Sequence, residues 1–236
     1  MASTAREHEG YLFLSLLQAR AGGSVMRRVP EGDVGNLLER SGPELAREMG
    51  LGEKASRALA EVMKDFDAGG AIERLARNGF RAVTYADEAY PGRLRLAPDP
   101  PPALYVGGEL PEGASVALVG SRKATRSGIE TAGVLGRALA ARGVCVVSGL
   151  AAGVDAAAHE GALAAGGGTV GVLGCGIDVV YPRENRELYR RVRGGGALVS
   201  EYYRHRSPGG SRHATGSSRA SRTPWSSSRR RRGVGP

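Results

Sequence analysis

A chain of 236 residues, 41% of them hydrophobic, is long enough for one or two domains with real cores. No apolar run approaches membrane-spanning length, the first ten residues are polar, and the only cysteines, Cys145 and Cys175, fall at or beside apolar core runs. A membrane span, a signal peptide, a disulfide framework and a cysteine metal site are therefore all disfavoured, and a cytoplasmic protein with reduced thiols is expected. The net charge of +9 is concentrated at one end: residues 203–236 hold nine arginines and no acids, which leaves 24 basic against 24 acidic residues before them. Bulk charge thus says nothing about the ligand of residues 1–202, and any such argument must come from local placement of Arg and Lys.

Residues 11–80 carry helical spacing at 11–19, 33–40, 43–49, 54–67 and 71–77, separated by Gly and Pro, with Asn78-Gly79 as a C-cap. Residues 81–85 predict a strand. Tyr90-Pro91 and Pro98 to Pro102 make a stiff connector, and Ala103-Leu104-Tyr105-Val106 is expected as an edge strand, with a domain boundary near residue 112.

From there strand and helix alternate. Val116 to Val119, Val144 to Val147, Thr169 to Leu173 and Ala197 to Glu201 are short apolar runs of the kind buried in parallel sheets. Helices are expected at 128–142, capped by Ser127 or Thr125, at 155–165, and at 183–193, with Pro182 at the first turn. The pattern predicts a doubly wound parallel α/β sheet with a ligand crevice at the carboxyl ends of its strands.

Two loops face that crevice. Gly120-Ser121-Arg122-Lys123-Ala124-Thr125-Arg126-Ser127-Gly128 joins a strand to a helix, where backbone N–H groups and the helix N-terminus favour an anion. Arg122, Lys123 and Arg126 add full charges, and the Ser121 and Thr125 hydroxyls can donate to phosphate oxygens. An ordinary βα turn with solvated cations fits the same residues. Ser148-Gly149-Leu150-Ala151-Ala152-Gly153 repeats the device one strand later, its glycines allowing close backbone approach. Neither loop is a Walker motif or a clean GxGxxG, which disfavours a hydrolytic P-loop and a dinucleotide site. Asp155 and His159 stand four apart on one helix, but a surface hydrogen bond or an Asp155 charge at the helix N-terminus is a better reading than acid–base chemistry. Gly174 to Asp178 and Tyr181 to Asn185 are read as structural, the second capping the next helix. No catalytic set, metal-ligand spacing or cofactor motif appears.

The residues after Tyr202 break the pattern, being mostly Arg, Ser, Gly and Pro. They predict either a disordered basic tail or an out-of-frame stretch. Trp225 is encoded by TGG and Ser226 to Ser228 by TCN in GC-rich usage. Shifted back by one nucleotide, these codons carry T in the middle and encode apolar residues. Extending that frame from Arg212 gives PRNRIIAGLADAVVVVEAAEA, a basic loop, a helix start and a buried strand, and a frameshift near Tyr203 is expected.

GSRKAT at 120–125, SGLAAGVDAAAHEGAL at 148–163, GCGIDVVYPRENREL at 174–188 and GALVSEY at 196–202 together resemble the DprA/Smf DNA-processing family, over about half the chain. Residues 87–110 look like that family's linker, and the shifted-frame string is similar to its next motif. The resemblance implies a Rossmann-like sheet, incomplete at its C-terminal side, preceded by a small helical SAM-like domain at 1–80, a linker with edge strands at 81–112, the partial Rossmann-like domain at 113–202 and the tail at 203–236. It implies a non-catalytic, cofactor-free cytoplasmic protein that binds single-stranded DNA, shields incoming DNA and loads the RecA recombinase during transformation. The DNA contacts it implies fall on Gly120, Ser121, Arg122, Lys123, Arg126, Ser148, Gly149 and Gly153. Family homodimers rest on later segments, so self-association is doubtful here. The family often has Arg where this chain has Ala152. Two rivals stand beside it: a nucleotide phosphoribohydrolase of the lysine-decarboxylase-like group, whose PGGxGT-type loop is missing here, and a neutral domain carrying a nonspecific nucleic-acid-binding basic arm.

Overall fold

The structure, a computed structural model, describes residues 2–29 and 32–203. The frameshift and basic tail expected beyond Tyr202 lie outside the described residues, except at Tyr203. That residue belongs to the folded part: its ring packs 5.5 Å from that of Tyr105, and its hydroxyl accepts from Arg74 Nε at 3.1 Å.

The N-terminal region is helical: α1 (Ala2–Ala21), two 3-10 turns (Met26–Arg28 and Val34–Glu39), α2 (Gly42–Glu48), α3 (Glu53–Asp65) and α4 (Ala68–Arg77). Local signals explain the starts. Ser41 and Glu44 form a capping box at α2, and Asp67 accepts from Gly70 N at 2.8 Å at α4. Phe13, Leu14, Leu17, Leu37, Leu45 and Leu59 bury a core among these helices. The helix expected at 33–40 is a 3-10 helix over Val34–Glu39, with Leu37 buried. α1 also reaches the sheet: Ser15 Oγ lies 3.0 Å from Tyr105 Oη, and Leu12 packs in the cluster under the sheet.

The sheet has six strands in the order β1-β2-β6-β5-β4-β3, formed by β1 (Arg81–Thr84), β2 (Ala103–Gly108), β3 (Ser115–Ala117), β4 (Cys145–Ser148), β5 (Thr169–Leu173) and β6 (Gly196–Ser200). β3 to β6 are parallel, while β1 and β2 add on antiparallel. β2 is therefore not an edge strand: it lies between β1 and β6 and carries the sheet across the boundary expected near residue 112. Its burial explains this. Ala103 and Tyr105 pack on one face, Leu104 and Val106 on the other, and a strand buried on both faces belongs inside a sheet. The stiff connector also holds a short turn of helix, α5 (Gly92–Arg95), whose Leu94 is buried.

The parallel strands are joined by α6 (Arg126–Ala140), α7 (Val154–Ala164) and α8 (Arg186–Gly195). α6 packs on α7 and α7 on α8. The strand order advances in one direction from β3 to β6, so the described residues form one winding of a Rossmann-like sheet. At Gly161 of α7 a Cβ would press into the Gly133 carbonyl, and this close approach seats α6 and α7 together. β3 ends the sheet with no strand on its outer side among the described residues, and Val116 and Val119 are exposed there. β3 therefore leaves an unpaired, partly apolar edge among the described residues.

Candidate nucleic-acid interface

Three loops meet at the carboxyl ends of β3, β4 and β5. The first, residues 118–125, begins when Leu118 N donates to Val147 O at 3.0 Å and the chain then leaves the ladder. It ends at Thr125, whose Oγ1 accepts from Gly128 N at 3.2 Å and caps α6; of the two expected caps, Thr125 serves. Ser121 Oγ accepts from Lys123 N at 3.1 Å. Both hydroxyls therefore work as acceptors inside the loop and keep their protons free to donate outward.

Asp155, in the first turn of α7, ties this loop to the second. Its Oδ1 accepts from Gly120 N at 3.2 Å and its Oδ2 from Gly149 N at 3.0 Å. The carboxylate is buried, so of the two expected roles the surface hydrogen bond does not hold, the charge does sit in the first turn of the helix, and its reach across two loops was not foreseen. The only local signal was an acid two residues past a glycine at a helix start. The two N–H groups converging between the loops are already taken by a carboxylate, which leaves no free pair of them for the phosphate of a mononucleotide and disfavours the phosphoribohydrolase reading.

The second loop is held throughout. Ser148 is buried and its Oγ donates to Leu118 O at 2.5 Å. The Ser148 hydroxyl is thus committed to the neighbouring loop. Leu150 is buried with φ +54°. Gly153 has φ +84°, and a Cβ there would lie 2.9 Å from the Arg122 carbonyl oxygen and nearer still to that of Ser121. Gly153 is thus the seat on which the first loop rests. Asn185, expected to cap the last helix, makes no side-chain cap; its Nδ2 donates to Leu150 O at 2.9 Å and ties the third loop, 174–185, to the second.

His159 does not pair with Asp155. It is fully buried, and its Nδ1 lies 2.7 Å from Thr169 Oγ1, which itself donates to Val146 O at 2.7 Å. The hydroxyl proton is committed, so Nδ1–H donates to it. Burial pushes the imidazole down to about 4, partly offset by the Ser148 carbonyl, and the ring is neutral at neutral pH. Sealed beneath the sheet, it is no acid–base group for the crevice. Burial also raises the thiols of Cys145 and Cys175, which are free. Among the described residues no group of three or more His, Cys, Asp or Glu is placed to hold a metal ion, and no helix is long and apolar enough to cross a membrane.

What the rim presents outward comes from the first loop. Ser121, Arg122, Lys123 and Arg126 are exposed. Arg126 pairs with Glu130 at 2.9 Å, whereas the side chains of Arg122 and Lys123 engage no other described residue by hydrogen bond or ion pair. Two free cations beside the N-terminus of a 15-residue helix make an anion-facing surface.

Fold and loops define a Rossmann-like α/β protein with a cationic rim at the carboxyl ends of its strands. A model of the family described as DNA recombination-mediator protein A matches residues 81–215, more than half of the chain, and the chain belongs to that family. Protein Smf of Escherichia coli is 41% identical over 118 residues, 49% of this chain and 32% of that protein. A putative DNA processing protein DprA of Mycobacterium tuberculosis is 36% identical over 190 residues, 74% of this chain and 44% of that protein. The solved structure of DNA processing protein A from Streptococcus pneumoniae superposes with a TM-score of 0.62 at 26% identity, covering 82% of this chain and 67% of that one. The chain spans less than half the length of the curated relatives it matches.

Proposed function

We propose that this chain is a single-stranded DNA-binding protein of the DprA type, which shields incoming DNA and passes it to a RecA-type recombinase. The observation that carries the reading is the first loop: Arg122 and Lys123 stand exposed, their side chains unpaired among the described residues, on a backbone that Asp155 and Gly153 hold in place. A fixed loop with free cations suits phosphates in series along a strand. The contacts divide by role. Ser121, Arg122, Lys123 and Arg126 meet phosphates, Gly120 and Gly149 let the backbone approach, and Ser148 and Gly153 act by shaping the loop. Family membership as a recombination mediator supports the hand-over step.

Affinity for single-stranded DNA should fall steeply with salt, by about 0.7 in the log–log slope per phosphate neutralised. Arg122→Ala should weaken binding and flatten the slope by about that amount. Binding indifferent to salt and to Arg122→Ala would sink the reading. The hand-over step is checked separately: the chain should speed RecA filament growth on protein-coated single strands, and no acceleration by a chain that binds DNA would remove that step alone.

A further inference from the structure

One large aromatic side chain on the rim has no role in the contacts above. Tyr181, in the third loop, is 49% exposed, although Val179 and Val180 just before it pack on the core. Its backbone is nonetheless held on both sides. The hydroxyl of Tyr189 donates to the Tyr181 carbonyl at 2.7 Å and accepts from the Tyr181 N–H at 3.4 Å. Tyr189 is buried, which pushes its phenol up to about 12, so the hydroxyl keeps its proton across the physiological range. Folding thus fixes where Tyr181 stands without burying its ring.

The surroundings are those of a strand-binding surface. Arg183 and Arg186 follow within five residues, are exposed, and their side chains engage no other described residue by hydrogen bond or ion pair. Arg190 and Arg191, further along α8, are paired with Glu187 and Glu160. The loop is tied through Asn185 to Leu150, and the second loop through Asp155 to Gly120, so one run of hydrogen bonds joins Tyr181 to the loop of Arg122 and Lys123. A planar ring held among free cations matches a polymer that alternates a flat base with a phosphate.

We infer that Tyr181 is a nucleobase-stacking position, the place on this rim where an unpaired base of a single strand lies flat on the protein while Arg183 and Arg186 meet the phosphates beside it. The inference rests on the single-stranded DNA reading and deepens it. It supplies a reason to prefer single strands, because a base inside a duplex has no free face to offer.

The test is fluorescence anisotropy with the full chain, a labelled oligo-dT, and the same oligonucleotide with its bases removed to abasic sugars. Tyr181→Ala should weaken oligo-dT binding by roughly 5- to 150-fold, the range for loss of one base–aromatic stack, while Tyr181→Phe stays within about twofold of the wild type. On the abasic strand wild type and Tyr181→Ala should bind alike. The midpoint of thermal unfolding should be the same for all three proteins, since Tyr189 holds the backbone and not the ring. Tyr181→Ala binding oligo-dT like the wild type overturns the inference, as does an equal loss on the abasic strand. A wild-type chain that binds neither strand overturns the underlying reading, and this inference with it.

Discussion

The first and second loops of this rim look like two copies of one device in sequence and do different work in the structure. Each follows an apolar strand, each carries glycine and serine, and each leads into a helix. The first, with Ser121, Arg122 and Lys123, keeps its side chains outside. The second turns its groups inward: Ser148 Oγ to Leu118 O, Gly149 N to Asp155, Leu150 into the core and Gly153 under the first loop. On the proposed reading one loop offers contacts and the other fixes their position. Glycine-rich turns need not be equal binding elements, and a buried carboxylate between them decides which N–H groups remain for a ligand.

The comparison can be broken most severely at Gly153. Gly153→Ala places a Cβ against the Ser121 and Arg122 carbonyls at φ +84°, and should cost roughly 2–4 kcal/mol of stability through strain and overpacking. Thermal unfolding should show a large drop, with DNA binding lost as the first loop shifts. An alanine variant with unchanged melting would mean that the second loop does not support the first.

Asp155→Asn is the more discriminating change. The amide can accept from only one of Gly120 N and Gly149 N, and stability should fall by about 2 kcal/mol. Removing a negative charge near the path of DNA would strengthen binding if charge alone mattered. If Asp155 positions the loops, affinity should instead fall by about tenfold, or ~1.4 kcal/mol. The sign of the change in an anisotropy titration decides between them.

His159 tests the second loop by pH. Its folded value of about 4 lies below the ordinary 6.5, so between those limits the unfolded chain holds the extra proton. Stability should be full above about pH 6.5 and decline as pH falls toward 4, by up to ~1.4 kcal/mol per unit. Urea unfolding at several pH values measures it, and a folded His159→Gln variant should lose that share of the slope. An unchanged slope in that variant would rule His159 out as its source.

The smallest structural effect belongs to the first loop. Lys123→Ala removes an exposed side chain with no partner among the described residues, so the melting temperature should not move, while the salt slope of DNA binding should flatten. A destabilised Lys123→Ala protein would mean that the loop contributes to the fold after all.

The strands and crossovers were legible in the sequence because buried parallel strands leave short apolar runs, and Gly, Thr125 and Asn78-Gly79 mark where helices begin and end. The four cationic and hydroxyl groups of the first loop were legible for the same reason: they lie next to one another in the chain. What went unread was non-local. β2 was expected at an edge, yet it is held between β1 and β6, a pairing with a strand almost a hundred residues away. The inward turn of the Ser148 hydroxyl to Leu118 O was not foreseen. Asp155 was expected to make a surface hydrogen bond or to place a charge at the helix N-terminus, yet from that first turn it also joins Gly120 and Gly149 across two loops. Adjacent residues and local periodicity follow from chain geometry, so the sequence alone settled the α/β class and the cationic loop. Which groups are left facing outward depends on partners brought together only when the sheet closes, because a hydrogen bond consumed inside the fold is lost to any ligand. That division the tertiary structure alone decided.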